Sequence, residues 1–147
     1  MRFGLGCDHR GLNLKRAISK LVAEMGHTCE DFGCYRAAAV DYPDVAARVA
    51  EAVAGGRLDR GILVCSTGIG MSIAANKVKG IRAALCHDLF SARRAREHND
   101  ANILCLGEQV VGPGVAEEIV RAFVGAEFQG GRHGRRLEQV HALEGRG

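Results

Sequence analysis

Short apolar segments alternate along the chain with longer stretches in which apolar residues recur every three or four positions. The apolar segments favour β-strands buried on both faces, because few polar residues interrupt them. They occupy residues 3–7, 61–65, 81–86 and 102–107, and a weaker candidate covers residues 27–33. The periodic stretches favour amphipathic helices, since this spacing keeps the apolar side chains on one face. Their marker residues are Leu14, Ala17, Ile18, Leu21, Val22 and Met25, then Val45, Val49 and Val53, then Ile119, Val120 and Phe123.

This alternation predicts the fold class. Parallel strands need crossover helices to connect them, so strands separated by helices indicate a parallel sheet covered on both faces. We expect an α/β domain of the doubly wound, Rossmann-like kind with about five strands. A short C-terminal helix over residues 137–144 could pack on another subunit. In such sheets the ligand lies beyond the carboxyl ends of the strands, which places the chemistry just after Cys7, Cys65, Cys86 and Leu106.

Length and composition narrow the function classes. The 147 residues predict one domain, residues 1–147, and the 47% apolar and 25% charged residues are typical of a globular protein. No apolar run approaches the roughly 20 residues of a membrane helix, and the N-terminal residues lack an export signal, so we expect a cytoplasmic protein. The net charge of +3 is too small to indicate nucleic-acid binding.

The six cysteines predict neither a disulfide framework nor a metal site. A domain of this size builds its core without disulfides, so reduced thiols are expected. No C-x-x-C pair occurs, and the nearest spacing, Cys29 to Cys34, has no matching second pair.

The most informative segment is CSTGIGMS, residues 65–72, which leaves an apolar strand and enters a helical pattern. Gly68 and Gly70 allow the backbone N–H groups of this turn to point inward, which favours an anion or an oxygen that gains negative charge. A tight structural turn is the alternative. The segment does not match the dinucleotide fingerprint, because Ile73 replaces the third glycine, and it lacks the G-K-[ST] of a Walker loop.

Cys65 stands at the start of that turn, where inward N–H groups favour a thiolate. Such a thiolate could act as a nucleophile or as a base, whereas the alternative is a small buried thiol, which we expect for Cys86 and Cys105. A cysteine phosphatase would need an arginine where the chain has Met71. We therefore favour Cys65 as a base.

Further polar residues surround the other predicted strands and complete the candidate site. Asp8 and His9 follow the first strand and are expected at the same crevice as Cys65. His98, with Asn99, precedes the last strand in a loop that we expect to open onto the site, and an imidazole exchanges protons near neutral pH. Arg132 and Arg136, four residues apart, would share one helix face, where they could grip a phosphate and complete the site of a neighbouring subunit. These candidates are Asp8, His9, His98, Asn99, Arg132 and Arg136.

Five segments together resemble the type B ribose-5-phosphate isomerases, a family of sugar-phosphate aldose-ketose isomerases. They are GCDHRG, DYPDVA, CSTGIGMSIAANKVKGIRAALC, REHNDANILCLG and GGRHGRR, and the resemblance covers essentially the whole chain. It implies a Rossmann-like fold, no metal and no cofactor, and a homodimer or a tetramer of dimers. It also implies a phosphorylated sugar as substrate and active sites shared between two subunits.

By matched position, the resemblance assigns roles to individual residues. Cys65 would be the proton acceptor, and His98 would open the furanose ring. The remaining residues would bind substrate: Asp8, His9, Ser66, Thr67, Gly68, Ile69, Gly70, Asn99, Arg132 and Arg136. The family usually has a further phosphate-binding arginine where this chain has Gln109, which can donate a hydrogen bond but carries no charge.

The resemblance implies reversible interconversion of D-ribose 5-phosphate and D-ribulose 5-phosphate. Two alternatives stay open. The chain could isomerise another sugar phosphate, such as allose 6-phosphate, galactose 6-phosphate or a tetrulose 4-phosphate, and the Gln109 substitution favours this alternative. It could also bind a sugar phosphate without turning it over.

Overall fold

The computed structural model describes residues 1–146, in which one five-stranded sheet is surrounded by six helices. The strands are β1 (Arg2–Cys7), β2 (Thr28–Asp31), β3 (Arg60–Cys65), β4 (Ala83–Leu85) and β5 (Ile103–Gly107). The helices are α1 (Leu12–Glu24), α2 (Tyr42–Ala54), α3 (Ile69–Ala75), α4 (Leu89–Asn99), α5 (Pro113–Gly125) and α6 (Arg132–Leu143).

The sheet has the strand order β2-β1-β3-β5-β4, and all neighbouring strands are parallel. This confirms the predicted Rossmann-like α/β class. From β1 the chain moves to one side for β2 and then returns to the other side of β1 for β3, so the winding reverses between β1 and β3. Ligands of such sheets bind at this reversal, beyond the carboxyl ends of the strands. Cys7 pairs with Val64 and Cys65 pairs with Gly107, so the ends of β1, β3 and β5 lie side by side.

Two apolar layers cover the sheet, because alternate residues of each central strand face opposite sides. Ile62 and Val64 of β3 pack in the layer formed with α1, α4 and α5. Leu63 and Cys65 pack in the other layer, with α2 and α3. Within residues 1–146, no helix combines the length and the apolar character that crossing a membrane requires.

Three elements differ in extent from the sequence prediction. Strand β4 covers only Ala83–Leu85, and helix α3 ends at Ala75 although its apolar pattern continues. Both limits have one cause, since the side chain of Asn76 accepts from the N–H of Ala83 and donates to its carbonyl, each at 2.9 Å. That pair of bonds turns the chain out of the helix and into the strand. Helix α6 begins at Arg132, five residues before the predicted start, so it includes both candidate arginines.

Candidate active site

The turn after β3 forms a compact loop around one thiol, and we name residues 65–70 the sulfur loop. The backbone N–H of Gly68 donates a hydrogen bond to Sγ of Cys65 at 3.0 Å. Gly68 has a φ of 77°, and a Cβ there would lie 2.8 Å from the backbone carbon of Leu106. Only glycine fits this position, because the conformation is left-handed and the neighbouring strand is in contact with it.

The side chain of Cys65 is 5% exposed and points toward the layer of α2 and α3. Three other cysteines lie deeper in the core, and burial raises the pKa of each thiol. The pKa of Cys7 rises to about 12 and that of Cys86 to about 11, and that of Cys105 rises as well. The expectation of small buried thiols at Cys86 and Cys105 is confirmed by their burial. Cys65 differs from these three because its sulfur accepts a hydrogen bond from a backbone N–H, that of Gly68.

Asp8 and His9 follow β1 at the same edge of the sheet, as predicted. Asp8 is 7% exposed, and its Oδ1 accepts the N–H of Arg10 at 2.9 Å. Nδ1 of His9 lies 3.5 Å from the N–H of Val40, which brings the segment before α2 over the end of β1. The structure thus places a carboxylate, an imidazole and a thiol around the ends of two adjacent strands.

Gln109 contacts the sulfur loop through two hydrogen bonds. The hydroxyl of Ser66 donates to Oε1 of Gln109 at 2.7 Å, and the backbone N–H of Gln109 donates to the carbonyl of Ser66 at 3.1 Å. An arginine side chain at this position could not accept from Ser66, because guanidinium has no acceptor. The substitution therefore removes a positive charge and adds a contact that ties the loop to the end of β5.

Sequence reasoning missed Tyr42 as a neighbour of the sulfur loop. A Cβ on Gly70 would lie 2.6 Å from Cζ of Tyr42, so the phenol ring packs directly on this glycine. Tyr42 is 40% exposed, so it reaches the surface beside the sulfur loop. The available signal was the position of Tyr42 at the first residue of α2, beside Pro43, because helix starts in this fold class approach the ligand edge.

His98 and Asn99 lie at the opposite edge of the sheet from Cys65 of the same chain. Helix α4 runs antiparallel to the strands and ends at Asn99, just before the amino end of β5. The prediction that their loop opens onto the Cys65 crevice of the same chain is wrong. A segment that follows a helix and precedes a strand belongs to the amino edge, and the length of β5 separates it from Cys65 by more than ~13 Å.

A second cluster gathers at that amino edge, and we name it the histidine–arginine cluster. Its members are Arg94, His98, Arg132, His133 and Arg136. The rings of His98 and His133 stack with centroids 4.0 Å apart and an interplanar angle of 11°. Nη1 of Arg94 lies 3.5 Å from Nε2 of His98. Arg132 and Arg136 lie four residues apart on helix α6 and are both exposed, so the predicted arginine pair on one helix face is present.

The candidate site residues therefore form two groups on opposite edges of one chain. The sulfur loop, Asp8, His9 and Gln109 lie at the carboxyl edge, whereas the histidine–arginine cluster and Asn99 lie at the amino edge. The first group offers a thiol and N–H donors, and the second offers imidazole and guanidinium groups. Among residues 1–146, no group of three or more His, Cys, Asp or Glu side chains is arranged to hold a metal ion.

Fold and site together define a Rossmann-like α/β protein with a thiol and an anion-accepting turn at the reversal of its parallel sheet. Residues 3–140 match the model of the family described as Ribose/Galactose Isomerase. The chain belongs to this family. The match confirms the resemblance found in the sequence motifs.

Individual relatives agree with the family match over nearly the whole chain. The structure of ribose-5-phosphate isomerase B from Clostridium thermocellum is 53% identical, superimposes with a TM-score of 0.98 and covers 99% of each chain. Ribose-5-phosphate isomerase B of Escherichia coli is 48% identical over 99% of this chain and 97% of its own. The D-erythrulose-4-phosphate isomerase of Pectobacterium atrosepticum is 44% identical over 98% of this chain and 95% of its own.

Proposed function

We propose that the chain catalyses the reversible interconversion of D-ribose 5-phosphate and D-ribulose 5-phosphate. One observation carries the proposal: a thiol that accepts a backbone N–H bond lies at the winding reversal of a chain that belongs to this isomerase family. The high identity to ribose-5-phosphate isomerases B from two bacteria supports this substrate.

Cys65 is the base in this proposal. Its thiolate removes the proton from C2 of the open-chain aldose, and the electron pair of that C–H bond forms the double bond of an enediolate. The thiol then returns that proton to C1 while the proton of the C2 hydroxyl moves to the oxygen on C1, which leaves the carbonyl at C2 and regenerates the thiolate. General-base catalysis of this kind contributes about 10²- to 10⁴-fold to a rate.

The sulfur loop also stabilises the enediolate oxygen. Two of its N–H groups bond within the loop: that of Gly68 donates to the thiol, and that of Ile69 lies 3.3 Å from Oγ1 of Thr67. This leaves the N–H groups of Ser66, Thr67 and Gly70 for the oxygen that gains charge. One such donor is worth about 3 to 4 kcal/mol in comparable sites.

The histidine–arginine cluster of a second chain completes each site. His98 would open the furanose ring, Asn99 would hold a hydroxyl group, and Arg132 with Arg136 would bind the phosphate. Within one chain, the histidine–arginine cluster and Cys65 lie at opposite edges of the sheet. This separation supports a homodimer with shared sites, either alone or within a tetramer.

Asp8, His9 and Gln109 bind the substrate from the same chain as Cys65. Asp8 is buried beside the thiol, where it would accept a hydrogen bond from a sugar hydroxyl. His9 and Gln109 border the crevice on the two sides of β3. A cytoplasmic location belongs to the same proposal, since all six cysteines are free thiols, as is typical of reducing compartments.

A second candidate substrate is a four-carbon or six-carbon sugar phosphate. The hydrogen bond between Gln109 and Ser66 favours it, because this contact changes the part of the crevice where the family usually places an arginine. The relative that is named a D-erythrulose-4-phosphate isomerase is also 44% identical to this chain.

The test is a substrate panel on the purified enzyme, with kcat/KM measured for pentose, hexose and tetrose phosphates. We expect the highest value for ribose 5-phosphate and ribulose 5-phosphate. A higher kcat/KM for another sugar phosphate would identify that sugar phosphate as the substrate and leave the proposed type of reaction unchanged. Binding of ribose 5-phosphate by calorimetry without turnover of any sugar would overturn the enzymatic proposal and support a binding protein.

A further inference from the structure

His133 is a buried residue to which sequence reasoning assigned no function. It lies in the first turn of α6 and is 6% exposed, although both of its neighbours on the helix surface, Arg132 and Arg136, are exposed. Its ring lies flat against that of His98 on α4, with centroids 4.0 Å apart and planes within 11°. Two helices therefore meet through one pair of stacked imidazoles.

The charged groups around this pair come from both helices. Arg94 and Glu97 lie on α4, where they form an ion pair of 2.7 Å, and Arg94 also approaches Nε2 of His98. Arg132 and Arg136 lie on α6. Burial lowers the pKa of His133 from its ordinary 6.5, and the charges of His98 and the arginines lower it further. His133 is thus neutral at pH 7, when it presents an uncharged aromatic face.

We propose that His133 is a positioning residue that stacks on the face of His98 and fixes the plane in which His98 exchanges protons with the substrate. This inference rests on the proposed function, because it assigns His133 a role in the ring-opening step of that reaction. It goes beyond that function by naming which residue orients the acid–base group.

The chemistry of ring opening explains why a stacked partner is useful. The step takes a proton from the hydroxyl on C1 and gives one to the ring oxygen while the bond between C1 and that oxygen breaks, so protons balance. Both nitrogens of an imidazole act in the plane of the ring. A partner that contacts only the face fixes this plane and leaves both nitrogens free at the edge.

The two directions of the reaction depend differently on this step. Ribose 5-phosphate is mostly a closed furanose and must open before Cys65 can act. Ribulose 5-phosphate cannot close a five-membered ring, since its only suitable oxygen carries the phosphate. Loss of the stacking therefore lowers kcat from the aldose more than kcat from the ketose. The two kcat/KM values change by the same factor, because their ratio is the equilibrium constant of the reaction. A general defect in folding or assembly would slow both equally.

The kinetic test uses His133→Ala and His133→Phe in the full-length enzyme, with His141→Ala as a control. His141 is exposed on the same helix and bonds Arg82, away from His98. We expect His133→Ala to lower kcat from ribose 5-phosphate by about tenfold or more, within the range of acid–base contributions, and to change kcat from ribulose 5-phosphate by less than about threefold. His133→Phe keeps a flat ring and restores most of the loss, and His141→Ala changes neither direction.

An equal loss of kcat in both directions, or no rescue by phenylalanine, would overturn the inference. A second measurement does not depend on activity. A stacked ring shifts the proton resonances of His98 upfield in NMR spectra, so His133→Ala should move them downfield and His133→Phe should keep them upfield. Unchanged His98 resonances in His133→Ala would also overturn it. An inactive wild type that retains the upfield shift would instead refute the proposed function alone.

Discussion

The backbone N–H of Gly68 donates to the sulfur of Cys65 at 3.0 Å. A sulfur that acts as a base needs such a donor, because hydrogen bonds to a charged acceptor are stronger than those to a neutral one. The same contact also fixes the direction of the sulfur. Gly68 therefore connects the shape of the sulfur loop with the reactivity that we propose for Cys65.

Replacing Cys65 by alanine tests this role directly. We expect Cys65→Ala to lower kcat by about 10²-fold or more, as is typical for the loss of a general base, while binding of ribose 5-phosphate persists in calorimetry. Cys105→Ala is the matched control, because it removes a buried thiol from the same apolar layer but from a residue outside the sulfur loop. It should lower stability and leave kcat close to that of the wild type. Turnover by Cys65→Ala near the wild-type rate would refute the assignment of the base.

Alanine substitutions at Gly68 and Gly56 test whether the close packing of the sulfur loop matters. Both have a φ of 77°, but a Cβ at Gly56 meets nothing within 4 Å, whereas one at Gly68 meets Leu85 and the backbone of Leu106. Gly56→Ala should cost about 1 to 2 kcal/mol of unfolding free energy, the strain of the left-handed conformation, and keep full activity. Gly68→Ala should cost more and lose activity. Urea unfolding measures the stability of both variants, and kcat/KM measures their activity. Equal effects of Gly56→Ala and Gly68→Ala would contradict the importance of the close contact between Gly68 and Leu106.

Mixing two inactive variants tests whether sites are shared. A Cys65→Ala chain supplies an intact histidine–arginine cluster, and an Arg132→Ala chain supplies an intact sulfur loop. In a hybrid dimer one of the two sites is complete, and random exchange makes half of the dimers hybrid, so about a quarter of the wild-type activity should return. Mass spectrometry under native conditions verifies the hybrids. No recovery in verified hybrids would show that each site belongs to one chain.

The hydrogen bond between Ser66 and Gln109 should make the effects of substitutions at these two residues depend on each other. A single hydrogen bond contributes about 1 kcal/mol, so Ser66→Ala and Gln109→Ala should each raise KM for ribose 5-phosphate several-fold. If the residues act together, the double variant should be no worse than either single one. Independent roles would instead make the two losses add.

Stability should fall in alkaline solution because of the buried thiols. Burial raises the pKa of Cys86 from 9.0 to about 11 and that of Cys7 to about 12, so the folded chain keeps protons that the unfolded chain loses above pH 9. The unfolded state then binds fewer protons, and the free energy of unfolding decreases as pH rises from 9 toward 11. Urea unfolding with a reductant at pH 8, 9 and 10 measures the slope. Cys86→Ala should flatten it, and an unchanged slope would contradict the raised pKa.

The central strands and the sulfur loop were predictable because their signals are local. Strands β3 and β5 are almost entirely apolar, as strands covered on both faces must be. The loop after Cys65 carries its glycines at the positions that its conformation requires. The edge elements were harder, since the end of α3 and the start of β4 depend on the bonds between Asn76 and Ala83, seven residues apart.

The position of His98 could not be predicted from the cluster of polar residues around it alone. A polar segment near a strand suggests a site. Whether that segment lies at the amino or the carboxyl edge of the sheet depends on whether it precedes or follows the strand. The burial of His133 could not be predicted from the sequence for another reason. Its burial comes from contact with α4, and nothing in the glycine-rich basic segment around it indicates that one of its residues turns inward. The roles assigned to individual site residues stay predictions until the variants above are measured.

The separation of Cys65 and Arg132 on opposite edges of one sheet has a consequence for how the enzyme responds to its own abundance. A chain that needs another copy to complete each crevice has its catalytic output set by mass action as well as by substrate supply. With the shared sites that we propose, strong dilution would abolish activity without unfolding the chain. Modest overproduction raises the output per molecule until nearly every chain is paired.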